Sequence, residues 1–418
     1  MTKLLADLLD DASAHVPPVD LAERAWAGAL ARRRSVARRS LVAVAAGALA
    51  IAALPPLLGR GTDTAPSGMP STSSASSSMG DPAARHLGTG TVWTLPGPGQ
   101  VEALPMLDLG LPTRIAVPNA VQSLTDHPIS TVRAVLMTDA AGGGYHPVLV
   151  DPSGEYRIVA DVTVQPTADE GGNTRFSIGP GTVSPDGTKV VLPSRQEVVI
   201  IDLAAGTRVR VPVPDPYLEW AGWSVDGSVV ARSAQRAWTL VVGQRSVREL
   251  PLPAGAGHYG LVEDAGKAPV LATFDASGRL QARAALPPLV ASGWQLAASS
   301  LTGWVATGVF LTPAASTELD GAYQGVLAVN ADTPSSWRLL VPPDGAGAMW
   351  SKGCCSAQGW AGQRLVVVQA QAASTSWLLA WDTDSGRLYR VSALTPSIVV
   401  DGTPLVGPLA IGPLPDPR

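Results

Sequence analysis

Two segments of this chain repeat one plan: VSPDGTKVVLPSRQEVVIIDLAAGTRVRVPVP at 183–214 and WSVDGSVVARSAQRAWTLVVGQRSVRELPLP at 223–253. Their Asp-Gly turns, Asp186-Gly187 and Asp226-Gly227, lie forty residues apart. The first reads as a turn at Pro185-Asp186-Gly187, strands from Lys189 to Leu192 and Glu197 to Asp202, a turn at Ala204 to Gly206, and a strand from Arg208 to Val213. A unit of this size with short β-rich runs cannot bury both faces of its sheet alone, so copies must stack. Weaker copies of the turn follow apolar runs at Asp151-Pro152-Ser153-Gly154, Asp275-Ala276-Ser277-Gly278, Asn330-Ala331-Asp332 and Asp382-Thr383-Asp384-Ser385-Gly386. The 43 glycines and 37 prolines fit many turns and short strands better than long helices.

The SPDG-type turns and the strands before the Asp-x-x-x-Gly turns resemble the repeats of WD-like and TolB-like β-propellers over most of 145–395. The resemblance implies an all-β fold. About 328 residues from Thr91 onward, at roughly 45 per blade, give a propeller of about seven four-stranded blades. The tryptophans Trp220, Trp223, Trp238, Trp294, Trp304, Trp337, Trp360, Trp377 and Trp381 suit packing between blades. A C-terminal strand within Val399 to Ile411 is expected to complete a blade begun near Val92 to Leu95 and so close the ring. A pair of β-sandwiches is the alternative, against which the forty-residue period weighs.

The N-terminal region has a different organisation. Residues 40–58, SLVAVAAGALAIAALPPLL, carry no charge, and Arg32, Arg33, Arg34, Arg38 and Arg39 precede them. Eighteen residues from Leu41 to Leu58 span roughly 27 Å as a helix, a minimal transmembrane length. The arginine excess places the N-terminus in the cytoplasm and the C-terminal body outside, as a single-pass plasma-membrane protein. A cleaved signal leading to secretion is the alternative: Ala48-Leu49-Ala50 is a small-x-small site, although some forty residues before the apolar run is long for a signal. Residues 1–39 read as a basic helical tail, with a capping-box pattern from Asp20 to Glu23. That tail suits either a cytoplasmic protein partner or the lipid of the inner leaflet. The layout resembles the tails of actinobacterial single-pass proteins, some arranged like anti-sigma factors, but no cysteine precedes Cys354 to form a zinc motif. Residues 59–90 are a Ser/Thr/Pro-rich linker too polar to form a core, and 91–418 form the extracytoplasmic domain.

Signs of chemistry are sparse. The formal net charge of −4 supplies no basic field, so nucleic acid is not an expected partner. GAGHYG at 255–260 matches a dinucleotide fingerprint without the helix that the motif requires, and reads as a loop between blades. The run from Asp382 begins like a calcium loop, but its twelfth position is Ala393, so a β-turn is expected, and no metal or cofactor. The two cysteines, Cys354 and Cys355, are adjacent; they can form a vicinal disulfide or pack as free thiols. They sit in WSKGCCSAQGW, where Trp350 and Trp360 can form a binding rim or the segment can be a tight connection. With no nucleophile elbow, HExxH or P-loop, the expectation is a binding, sensing or scaffold protein for an external ligand rather than an enzyme. The alternative is a propeller enzyme of glycan-hydrolase or lactonase type, whose residues would converge on one channel mouth.

Overall fold

A computed structural model describes residues 83–416, apart from short internal segments of which 251–258, 263–269 and 344–354 are the longest. The basic tail, the apolar run 40–58 and most of the linker lie outside the described residues. Among those described, no helix is long and apolar enough to cross a membrane. The chain divides into two compact units, Met1–Ser78 and Met79–Arg418. The second is a β-propeller.

Among the described residues there are six sheets of three or more strands, here blades 1 to 6 in chain order. Blade 1 is, from its inner strand outward, Leu409–Ile411, Ala134–Asp139, Tyr145–Val150 and Tyr156–Ile158. Blade 2 shows how sequence becomes sheet. Lys189–Ser194, Glu197–Asp202 and Thr207–Pro212 pair antiparallel in unbroken register. A short inner strand is added by Val183, bridged to Val190, and by bonds from Ser184 N to Lys189 O (2.9 Å) and Val191 N to Thr182 O (2.8 Å). Blade 3 is Trp220–Trp223, Val229–Arg232, Ala237–Leu240 and Val247–Leu250. Blade 4 is Tyr259–Val262, Val270–Phe274 and Leu280–Ala285. In blade 5, Trp304–Leu311 pairs with Ala298–Ser299 and with Gln324–Asn330, and the latter with Trp337–Val341. Blade 6 is Cys355–Ala361, Leu365–Ala372, Thr375–Asp382 and Leu388–Leu394. The first strand of blade 6 touches the first strands of blades 5 and 1, so inner strands converge.

Side chains alternate across each strand and both faces are buried. On Lys189–Ser194, Val190 and Leu192 join Val135, Met137 and Leu149 of blade 1, while Val191 joins Val229, Ala231 and Trp238 of blade 3. On Leu365–Ala372, Val366 and Val368 pack toward blade 5 and Val367 toward blade 1. Apolar clusters thus fill the seams between blades 1 and 2, 2 and 3, 4 and 5, 5 and 6, and 6 and 1. That last seam closes the ring.

The turns that announced the repeat are of two kinds. Asp186-Gly187 joins the first and second strands of its blade, and Gly187 has φ +73°. Asp151, Asp202 and Asp382 head the turns between third and fourth strands instead, ending at Gly154, Gly206 and Gly386, all with positive φ.

Closure differs from expectation in its partner. The C-terminal strand Leu409–Ile411 pairs with Ala134–Asp139 to become the inner strand of blade 1, whose other strands are Tyr145–Val150 and Tyr156–Ile158. Val92 to Leu95 takes no part in that blade. Gly90–Thr94 runs parallel to Trp337–Val341 and adds a strand to the outer edge of blade 5. The same stretch of chain then adds Arg114–Ile115, parallel, to blade 6 and Gln122–Ser123, parallel, to blade 1. Residues 90–123 are therefore a strap along the outside of three consecutive blades. They account for the six described blades where length alone suggested about seven. A further strand, Arg85–Leu87, folds back on Gly90–Thr94 and falls within the stretch read as linker.

Several ties hold the strap. Trp93 is 3% exposed and meets Trp381 edge-to-face at 5.9 Å between ring centres. Gly386 makes room for it, since a Cβ there would lie 1.9 Å from the Trp93 ring. Glu102 pairs with Arg390 and accepts from Trp377 Nε1 at 3.3 Å. Ser392 Oγ donates to Pro112 O at 2.6 Å, and Ala116 N donates to the Tyr156 hydroxyl oxygen at 3.2 Å.

Candidate functional site

The innermost strands are where a propeller gathers residues from several blades. Here they read TVS (182–184), WAGW, YGLV, AS, CSAQGWA and LAI, small or apolar residues but for Gln358 and Tyr259, with no acid or base. Among the described residues no three His, Cys, Asp or Glu side chains gather into a metal-holding group. The Asp382 carboxylate accepts from Asp384 N (2.9 Å) and Ser385 N (3.3 Å), as a β-turn does. Of GAGHYG, the last two residues open the strand Tyr259–Val262, and the first four lie outside the described residues.

Within WSKGCCSAQGW, Trp350 and Cys354 lie outside the described residues. Cys355 is disulfide-bonded, is 2% exposed and begins the inner strand of blade 6. Trp360 sits on the same strand, half-buried; its Nε1 donates to Ala298 O at 2.9 Å and its ring lies 6.4 Å from that of Trp304. It therefore links the inner strands of blades 5 and 6.

That inner strand carries a feature that spacing did not reveal. Its register against Leu365–Ala372 shifts between Ala357 and Gly359, a β-bulge that re-aims Gln358. Gln358 is 6% exposed. Its Nε2 donates to Ser356 Oγ at 2.8 Å and to Gln369 Oε1 at 3.1 Å. Its Oε1 is buried with no hydrogen-bond partner. A buried carbonyl left unpaired costs about 1–3 kcal/mol, so such a group asks for a donor.

Elsewhere, an apolar cavity of about 720 Å³ opens beside blade 5, lined among others by Leu87, Leu286, Leu289, Ala315 and Trp337, with Glu318 its one acid. The helix Pro313–Glu318 that walls it begins at Thr312, whose Oγ1 accepts from Ala315 N at 3.2 Å, and has proline in its first turn. Arg85 fixes the covering hairpin by pairing with Asp320 and donating to Glu318 O at 2.9 Å.

Two carboxylates of blade 2 and one tyrosine of blade 1 have shifted ionisations that the local bonds explain. Asp186 is held below the usual carboxylate range first by the Ser184 hydroxyl (2.6 Å) and then by Thr188 N (3.0 Å). Asp202 is lowered first by its bond with Lys189 and then by Ala205 N. Burial pushes the Tyr156 hydroxyl up, opposed by the Ala116 amide.

This geometry defines a β-propeller with no assembled catalytic set among its described residues. Solved structures similar to it include TolB from Acinetobacter baumannii, 16% identical, covering 65% of this chain and 68% of that one at a TM-score of 0.41. Another is a protein of Agrobacterium tumefaciens assigned as TolB, 14% identical, covering 69% and 95% at 0.39. A third is a Bacteroides fragilis protein assigned as a 6-phosphogluconolactonase, 11% identical, covering 65% and 85% at 0.36. These are likenesses of architecture alone. No family model and no curated sequence matches the chain.

Proposed function

We propose that this protein is a membrane-anchored binding or sensing propeller, held outside the membrane by its N-terminal helix and meeting its ligand with the ring. The observation that carries this reading is the strap. The residues that follow the linker are spread over the outer edges of blades 5, 6 and 1, so a tether is joined to three blades rather than to one frayed end. Such an attachment suits a body that must stay whole while tethered. In this reading residues 1–39 remain in the cytoplasm, against inner-leaflet lipid or a partner protein.

The test is a reporter fused at either end of the full chain, combined with protease shaving of intact cells. The reading expects the C-terminal reporter outside, cleavage within 59–82, and recovery of the body in the medium after cleavage. A protected linker refutes it. The enzyme alternative, a lactonase or glycan hydrolase, is supported if the released body turns over a lactone or glycan; the inner strands, free of acids and bases, speak for binding instead.

A further inference from the structure

We propose that one end of the seam between blades 6 and 1 is a binding site for a neutral, hydroxyl-rich ligand, a saccharide or polyol. This rests on the reading of the ring as a binding body and names what it binds.

The seam changes character along its length. Toward the turns that join third and fourth strands it is apolar: Leu365, Val367, Leu378 and Ala380 of blade 6 meet Ala134, Leu136, Val148 and Val150 of blade 1. Strand alternation carries the same faces on to polar residues at the other end. On blade 6, Gln369 follows Leu365 and Val367, Ser356 pairs with Gln369, and Ser376 precedes Leu378 and Ala380. Gln358, two residues beyond Ser356, shares this face and bonds both Ser356 and Gln369. On blade 1, Thr138 continues from Ala134 and Leu136, and its cross-strand partner His146 precedes Val148 and Val150. Ser356, Gln369, Thr138 and His146 are half-buried, Gln358 and Ser376 are buried, and the strand Ile398–Val400 touches Ala134–Asp139 beside them.

The ligand class follows from the donors and acceptors. His146 Nδ1 lies 2.9 Å from Val162 O. A carbonyl only accepts, so Nδ1 carries the proton, and in the neutral ring Nε2 is then the acceptor. With Gln358 Oε1, which is buried without a donor, that makes two acceptors awaiting donors. The hydroxyls of Ser356 and Ser376 and the amide of Gln369 supply donors on the same face. None of these six groups is an acid or a fixed cation, so a charged ligand would be desolvated without compensation. A hydroxyl donates and accepts at one atom and satisfies such a mixed set. A peptide amide turns its donor and acceptor to opposite sides and does so less well. Polar residues continue both faces of a seam that is apolar elsewhere, and with the unpaired Gln358 Oε1 they point to a ligand rather than to packing.

The experiment is calorimetric titration of the full chain with maltotriose, cellotriose, mannotriose and the blocked peptide acetyl-tetraalanine amide, repeated on Gln358→Leu and His146→Phe. The expected result is that at least one trisaccharide binds and that each substitution weakens it about tenfold, the worth of one good hydrogen bond. The unfolding midpoint of Gln358→Leu should change little, because removal of the unpaired buried carbonyl offsets loss of the bonds from Nε2 to Ser356 and Gln369. A lower midpoint with unchanged affinity would make Gln358 structural and overturn the site. Binding of no trisaccharide, or of the peptide alone, overturns the ligand class. A trisaccharide held equally by the wild type and both variants overturns the seam while leaving the ring a binding body. Failure of the tethered layout itself is read separately, from the position of the linker.

Discussion

Blades 5, 6 and 1 and blades 2 and 3 solve the problem of an outer edge in opposite ways. The outer strands of blades 5 and 6 are largely apolar, and that of blade 1, Tyr156–Ile158, buries Arg157 between half-buried Tyr156 and Ile158. In Trp337–Val341 all but Arg338 are buried, and in Leu388–Leu394 Leu388, Val391 and Leu394 are. The strap covers them. The outer strand of blade 2, Thr207–Pro212, instead presents Thr207, Arg210 and Pro212 to solvent, and that of blade 3 presents Arg248 and Glu249. An open edge is a template for another chain, and charge and proline blunt it. The comparison teaches that one ring uses two protections: covering by its own N-terminus, and deterrence by side chains.

The largest effect is expected from breaking the covered side. Trp93→Ala removes a buried aromatic from the seam of blades 5 and 6 and should cost about 3–5 kcal/mol in urea unfolding. Gly386→Ala should cost several-fold less than that or as much, depending on whether Trp93 yields, because its Cβ would enter the ring and its φ is +75°. The sharper measurement is the double variant. With Trp93 already Ala, Gly386→Ala should retain only the backbone strain, about 1 kcal/mol, and a fully additive pair would separate the strap from blade 6. The next effect is on the deterred side. Arg208→Val with Arg210→Val leaves the blade 2 core untouched, so the stability change should stay within about 1 kcal/mol, yet light scattering should report self-association. Arg338→Val, beneath the strap, should leave the scattering as it is in the wild type.

The smallest effect is in acid. Asp186 and Asp202 are depressed in the folded protein, so their stabilisation is complete above the ordinary carboxylate value of about 3.9 and is lost as pH falls through their lowered values. The thermal midpoint should fall between about pH 4 and 2, and Asp202→Asn should flatten that fall. Both carboxylates belong to blade 2, so the shift should appear first in probes on that side.

The sequence exposed one of these regions far better than the other. In blade 2 turn and strand agree: Gly187 and Gly206 need positive φ, alternation is unbroken, and the strands fall within two residues of expectation. The strap offered no such period. Its strands are two to five residues long and pair in parallel with partners far off in sequence, so each looks like loop. Trp93, its anchor, stood outside the tryptophans assigned to packing. Leu409–Ile411 was visible as a closing strand, but three residues do not name their partner. The polar seam was hidden for another reason. Alternation counted from Ser356 turns Gln358 toward blade 1, and counted back from Trp360 turns it toward blade 5; only the register shift between Ala357 and Gly359 reconciles the two. A lone histidine in the sequence such as His146 gains meaning once its strand partner Thr138 and its bond to Val162 are known.

The strap and the closing strand also set a timetable. Ser392 bonds Pro112 across 280 residues, and blade 1 takes its inner strand from Leu409–Ile411. A ribosome makes the strap long before the sheets it will clasp, and makes the inner strand of blade 1 after every strand of blades 2 to 6. Early blades can condense as they emerge, whereas the circle is completed only once Leu409–Ile411 has left the exit tunnel. Until then the first blade waits with an apolar edge on show.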